Sequence, residues 1–325
     1  VGSSNCLPKT AWPPTYIYSP GSADALDDIV FVEDGYASEG DMHLVTISSR
    51  PATAMQIVLS WFDDFSELVP KENVIPEGMD DKSYRKYQLQ LMDTSQHSSV
   101  VVGYEAAGAE VDFENNGIIV INVVEDMPAE GKLEIGDRVI QVDDVPIKES
   151  QNLIDYVGSR DDGETITVTL ERDGEEIEEE IDVQAFPDEP DRKGIGIQLM
   201  NDTEVIVDPP VDFDSKGIGG PSAGLMFALE MFDQLTEEDW TRGYTIVGTG
   251  EIDFEGNVHR IRGVDKKVVA ADRAGAKVFF APNEGGREGS NYEEAKEAAE
   301  KIGTDMDIIP VDNFEDALDY LRELK

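Results

Sequence analysis

The 325-residue chain has one cysteine, three histidines and only 26 lysines and arginines set against 70 aspartates and glutamates. Cys6 has no intrachain partner, so no disulfide contributes to the fold. His43, His97 and His259 come with no companion cysteines at zinc spacing, and the acids follow no calcium-loop pattern. No metal and no cofactor are therefore expected. The formal net charge of −44, with no basic run, excludes nucleic acid and anionic lipid surfaces as partners. No stretch reaches the roughly 18 to 20 apolar residues of a membrane span. No P-loop is present, so the sequence shows no ATPase motor of that kind. A chain that begins at Val1 is expected to be a truncated or processed form. The acids are spread throughout and are densest in residues 171–191, which describes a solvated surface and suits a salt-adapted source. The length is ample for two domains with separate cores.

What is present begins with Gly219-Gly220-Pro221-Ser222-Ala223-Gly224, which runs into an apolar stretch ending at Leu235. Pro221 suits a first helical position, the glycines let a substrate backbone approach, and unpaired amides at a helix start can hold an oxyanion. Ser222 is then either an ordinary N-cap or a nucleophile, and the second option needs a base from elsewhere. Residues 263–275 read as one helix ended by Gly275. On it Val264, Lys267, Val268 and Ala271 share a stripe, whereas Lys266 shares its side with Asp265, Asp272 and Arg273 and is expected to be solvated. Lys267, an amine on an apolar face, either snorkels outward or sits dry with a lowered pKa. In the dry case it would make a base for Ser222.

These segments, with Thr249-Gly250-Glu251-Ile252 and residues 278–282, resemble the proteolytic domain of Lon-type serine proteases in order and spacing. The resemblance implies a Ser-Lys dyad of Ser222 and Lys267, with Thr249 orienting the amine, and amides around Gly219, Gly220 and Ser222 are expected to receive the oxyanion. Members typically carry Asp-Gly-Pro-Ser, where this chain has Gly219-Gly220-Pro221-Ser222.

Residues 117–182 alternate short strands and turns around one helix and resemble a PDZ domain, through Gly136-Asp137-Arg138-Val139-Ile140 and the helix of residues 150–157. Such domains add an extended peptide as a strand beside a groove. The resemblance places the loop amides that hold a peptide carboxylate near Asn116, Gly117, Ile118 and Ile119, and the side-chain pocket at Leu153 and Val157, unless these residues are simply core. The whole chain resembles bacterial membrane-anchored Lon-like proteases that lack an ATPase. The implied architecture is α/β (α+β): a tail (1–24), a first proteolytic part (25–112), an inserted β-rich PDZ domain (113–187) and a catalytic part (188–325). Residues 27–47 would hold the first strands, 55–61 the first helix and 89–107 a following helix. The resemblance further implies unfolded or membrane-tethered polypeptides as substrates, an N-terminal anchor upstream, an extracytoplasmic location and a homo-oligomeric ring.

Two other readings compete. Gly220-Pro221-Ser222-Ala223-Gly224 satisfies the Gly-x-Ser-x-Gly hydrolase elbow, but His259 follows too soon after the serine to complete a Ser-Asp-His set. Alternatively the chain is a silent PDZ scaffold with a Lon-like assembly domain, although Ser222, Lys267 and Thr249 are all retained. Near the C-terminus residues 308–311 read as a strand, and Asp312 with Glu315 as the capping box of a last helix whose Phe314, Ala317, Leu318 and Leu321 face the core.

Overall fold

A computed structural model describes residues 15–76, 79–187, 189–215 and 217–324, apart from the side chains of residues 190 and 191. Cys6 lies outside the described residues.

The catalytic half is built on a six-stranded sheet in the order Asp307–Val311, Val278–Pro282, Thr245–Gly248, Asp41–Pro51, Thr15–Ala25, Glu67–Pro70. The first four strands run parallel and the last two join antiparallel. Val278–Pro282 is buried at every position, as expected of a parallel strand covered on both faces. The helix Gly224–Leu235 is buried at ten successive residues, from Gly224 to Asp233. Its side chains are apolar almost all round, so it can only be stable inside the core, where Phe227 stacks edge-on against Phe213 and Phe232 against Phe314. The helix Val264–Arg273 lies against strands Thr15–Ala25 and Asp41–Pro51 in a second core cluster.

A second six-stranded sheet forms the β-rich half, with the path Ile197–Val207, Val111–Val123, Arg138–Val142, Thr165–Arg172, Glu175–Asp182, and Val145–Pro146 beside the third strand. Its own core contains Ile118, Val120, Leu153, Val157, Leu170 and Ile181. The two halves share the long ribbon of Val111–Val123 and Ile197–Val207. One end of that ribbon, at Ile118, Val120, Ile197 and Leu199, packs in the core of the β-rich half, while Val111, Val205 and Val207 pack against the core around the helix Gly224–Leu235.

The element boundaries depart from the sequence-based expectation in several places. Thr15–Ala25 is a strand of the main sheet, so the catalytic half starts inside the segment expected to be a tail. The strand survives Pro20 because a register shift between Pro20 and Ala23 absorbs it. The β-rich sheet reaches Val207 rather than ending at residue 187, because Ile197–Val207 pairs with Val111–Val123. The helix expected over 89–107 is Asp81–Ala106, opened by the Asp80 carboxylate accepting from the Ser83 amide at 2.7 Å. The helix expected over 55–61 is Ala54–Leu59, followed by a 3₁₀ turn over Ser60–Phe62, with no buried residue in either. The last helix is Phe314–Glu323, and its capping box uses Asn313 and Asp316, one residue later than Asp312 and Glu315. Phe314, Ala317, Leu318 and Leu321 do face the core.

Candidate active site

Thr249 immediately follows the strand Thr245–Gly248, at the carboxyl end of the parallel part of the sheet. In open α/β sheets that end is where strand-to-helix turns gather and where ligands bind. Three separate segments meet there. The Ser222 turn precedes the helix Gly224–Leu235, Thr249 tops the central strand, and Lys267 comes from the first turn of Val264–Arg273. Gly263, the N-cap of that helix, is left-handed with φ 69°, and its carbonyl accepts from the Lys267 amide at 3.1 Å. The helix starts abruptly enough for Lys267 to point back over the strand end.

The Lys267 Nζ lies 2.6 Å from the Ser222 Oγ and 2.9 Å from the Thr249 Oγ1. The Thr249 hydroxyl in turn donates to the Ser222 carbonyl at 2.9 Å, and the Gly250 amide reaches the same carbonyl at 3.0 Å. Serine, threonine and lysine thus form one hydrogen-bonded triangle. Lys267 is 2 % exposed and Thr249 fully buried, while Ser222 is half-buried, so the amine is sealed behind a reachable hydroxyl. Burial pushes the Lys267 pKa down from 10.5 to about 7. An amine in that range can exchange a proton with a serine near neutral pH.

Lys266 departs from expectation. It is 3 % exposed and not solvated, because its helix packs on the strands Thr15–Ala25 and Asp41–Pro51 and carboxylates hold its amine. Its Nζ donates to Glu67 at 3.0 Å and to both Asp265 oxygens at 3.1 and 3.2 Å. Burial alone would lower its pKa, but those bonds and charges together raise it. Burial thus moves one of two adjacent lysines down, while carboxylate partners move the other up.

The Ser222 turn also differs from the sequence reading. The helix begins at Gly224, so Pro221 precedes it by three residues and is not its first position. The Gly220 amide, expected to serve the oxyanion, already donates to the Gln88 carbonyl at 2.8 Å. Among the described residues the Ser222 amide donates to no backbone carbonyl. Sequence reasoning also missed Ser95 and Ser99, whose hydroxyls donate to the Pro221 and Gly224 carbonyls at 2.9 and 2.8 Å. Two small polar residues on an otherwise apolar helical stripe were the available signal. Gly219 sits against Gln88, where an added Cβ would lie 2.9 Å from the Gln88 Cβ.

In the β-rich half, Asn116, Gly117, Ile118 and Ile119 lie in mid-strand instead of a carboxylate-holding loop. Ile118 is paired with Asn201 on one side and Val139 on the other, and Ile119 with Met200 and Arg138, so neither offers a free ladder. Leu153 and Val157 are 2 % and 4 % exposed and belong to the core. Among the described strands, the open edge beside the helix Ser150–Gly158 belongs to Ile197–Val207, with the Ser150 amide and hydroxyl both donating to the Asn201 Oδ1.

Comparison with known proteins separates the same two modules but puts the change-over between residues 183 and 193, so the edge strand Ile197–Val207 falls within the Lon match. Residues 106–183 match the PDZ domain, and residues 193–323 match the Lon protease (S16) C-terminal proteolytic domain. Lon protease from Rickettsia bellii is 33% identical over 127 residues, covering 39% of this chain and 15% of that protein. Lon protease from Campylobacter jejuni is 31% identical over 130 residues, covering 36% of this chain and 15% of its own length. The match therefore spans only a small part of each curated relative. The PDZ domain of the SdrC-like protein from Listeria monocytogenes is 29% identical, covering 26% of this chain and 88% of that domain with a TM-score of 0.24. The chain carries a Lon-type proteolytic domain together with a PDZ domain.

Proposed function

We propose that the chain is a serine endopeptidase acting through a dyad of Ser222 and Lys267. The observation that carries this is the 2.6 Å contact between a half-buried hydroxyl and a fully buried amine shifted to about 7. Neutral Lys267 takes the Ser222 proton as the Oγ attacks the scissile carbonyl, and the Ser222 amide receives the oxyanion. The resulting ammonium then protonates the leaving amine, giving an acyl-enzyme that water hydrolyses by the same proton relay. Thr249 holds the amine on the serine side and is itself fixed by the Ser222 carbonyl. The proposal extends to cleavage without ATP and to loose or membrane-tethered polypeptides as substrates, which an assay of casein cleavage with and without added ATP tests.

The PDZ domain would capture substrate tails by strand addition at the edge strand Ile197–Val207. Tethering by a membrane segment upstream, an extracytoplasmic location and assembly into a ring belong to the same proposal. Among the described residues no helix is long and apolar enough to cross a membrane. Mass measurement in solution tests the ring.

The central test is incubation with casein beside Ser222→Ala. Cleavage lost in the variant supports the dyad, whereas equal cleavage by both identifies another nucleophile. Absence of cleavage by the wild type would favour a silent scaffold.

A further inference from the structure

The nucleophile turn is held from one side by a single neighbour, the helix Asp81–Ala106. Its Gln88 carbonyl accepts from the Gly220 amide, the Ser95 hydroxyl donates to the Pro221 carbonyl, and the Ser99 hydroxyl donates to the Gly224 carbonyl, at 2.8, 2.9 and 2.8 Å. Ser95 and Ser99 are 2 % and 0 % exposed and lie one helical turn apart, so both hydroxyls point at the same loop.

The Ser95 contact has the larger chemical consequence. A trans peptide is planar, with its carbonyl and N–H pointing in opposite directions. Drawing the Pro221 carbonyl toward the buried Ser95 therefore turns the Ser222 N–H away from the helix, to the side opposite the clamp. That N–H has no backbone acceptor among the described residues, and the neighbouring Gly220 amide is already spent on Gln88. Among the described residues the Pro221 carbonyl accepts one further hydrogen bond, the longer turn bond from the Gly224 amide at 3.3 Å. The next plane along, Gly224–Leu225, is held by its own N–H donating to the Gly250 carbonyl at 3.1 Å and by the Ser99 hydroxyl, whose one proton is shared between the Gly224 carbonyl at 2.8 Å and the Ser95 carbonyl at 2.5 Å.

We propose that Ser95 is a positioning residue that aims the Ser222 amide at the developing oxyanion. This rests on the dyad reading above. Ser95 touches no substrate and acts through the Pro221–Ser222 peptide plane. Removing an oxyanion donor outright costs about 100- to 1,000-fold in kcat, and misaiming one costs less.

Wild type, Ser95→Ala and Ser99→Ala are compared on a short fluorogenic peptide and on the peptide aldehyde of the same sequence. With the aldehyde, the Ser222 Oγ adds to the carbonyl carbon, the serine proton passes to Lys267, and the carbonyl oxygen becomes the oxyanion. For Ser95→Ala, kcat falls about 10- to 100-fold, KM stays within about twofold, the pH midpoint is unmoved and aldehyde inhibition weakens by the same factor as kcat. Ser99→Ala loses much less, because its plane keeps a second holder. If Ser95→Ala does not fold, Ser95→Cys, which keeps the size with a weaker donor, carries the same readout. Unchanged aldehyde affinity, or a loss confined to KM, overturns the role of Ser95 and leaves the dyad standing. A wild type with no Ser222-dependent cleavage overturns both.

Discussion

Replacing Lys267 with methionine tests the energetics of the site apart from its chemistry. Moving the amine from 10.5 to about 7 corresponds to about 5 kcal/mol, at roughly 1.4 kcal/mol per pH unit. The sign follows from proton binding. Above 10.5 both folded and unfolded chains carry a neutral amine, and burial costs nothing on this account. Between 10.5 and about 7 the unfolded chain binds a proton that the folded chain does not, so wild-type stability falls as the pH is lowered. Below about 7 both states are protonated and the folded chain bears the full cost. Lys267→Met removes the titrating group at nearly equal volume. Against this stands a loss of about 1–2 kcal/mol for hydroxyls of Ser222 and Thr249 left short of a partner. The variant is expected to be more stable by about 3 kcal/mol near pH 7, and the gain to vanish by about pH 9.5, with all activity lost. Urea unfolding followed by tryptophan fluorescence reads this directly, since Trp240 is buried in the catalytic core. A variant less stable than wild type near pH 7, or a gain that does not change with pH, refutes the dry, uncharged lysine.

Further outcomes follow from the same structure. Because the base must be neutral, kcat/KM should rise with pH through a midpoint near 7, and a profile flat from pH 5 to 9 would contradict the buried Lys267 as base. The −44 net charge predicts thermal stability that rises between low and molar salt, which a melting series in sodium chloride measures. Glu230 is 2 % exposed and hydrogen-bonds Asp27 and Gln234; burial first, and Asp27 after it, hold its pKa well above 4.5. That contribution is fully present below 4.5 and fades as the pH rises through the folded value, so Glu230→Gln should gain on wild type as the pH is raised. His259, whose ring nitrogen lies 2.8 Å from Asp253 on an exposed hairpin, should be dispensable, and His259→Ala should cleave casein at the wild-type rate.

The parts of this molecule that could be read from sequence are those where local chemistry and tertiary role coincide. Gly263 and Gly275 bracket a helix because both take left-handed backbone, φ 69° and 77°, and the apolar stripe through Val264, Val268 and Ala271 carried Lys267 into the core with it. Lys266 was misplaced because a helical wheel knows only its own helix. The carboxylate that pairs with it from outside its helix, Glu67, is 199 positions away. The β-rich boundary was hidden for a similar reason, since Ile197–Val207 finds its partner strand across the whole inserted domain. Thr15–Ala25 was obscured by Pro20 and Gly21, which look like a turn in isolation and become a register shift only when Asp41–Pro51 lies alongside. Asn116 to Ile119 were read as loop but lie in a strand, with Ile118 and Ile119 paired on both sides, because edge status depends on sheet order, which no local pattern encodes.

Lys266 and Lys267 separate two effects that are easily confused. Both amines are almost wholly buried, at 3 % and 2 % exposure, so desolvation acts on each. Lys266 nevertheless stays charged, because two carboxylates repay its loss of water. The neighbours that hydrogen-bond Lys267 are hydroxyls, and hydroxyls solvate an amine without favouring its charge as a carboxylate does. In a chain with 70 acidic residues, the composition that matters at this site is the absence of any carboxylate from the Ser222–Thr249–Lys267 triangle. An acid placed within contact distance of Nζ would raise the amine toward its ordinary value, restore its charge and remove the base, while tightening the local fold. The site is therefore reactive for the same reason that it is costly. The charge pair that makes Lys266 a structural clamp is what Lys267 must do without.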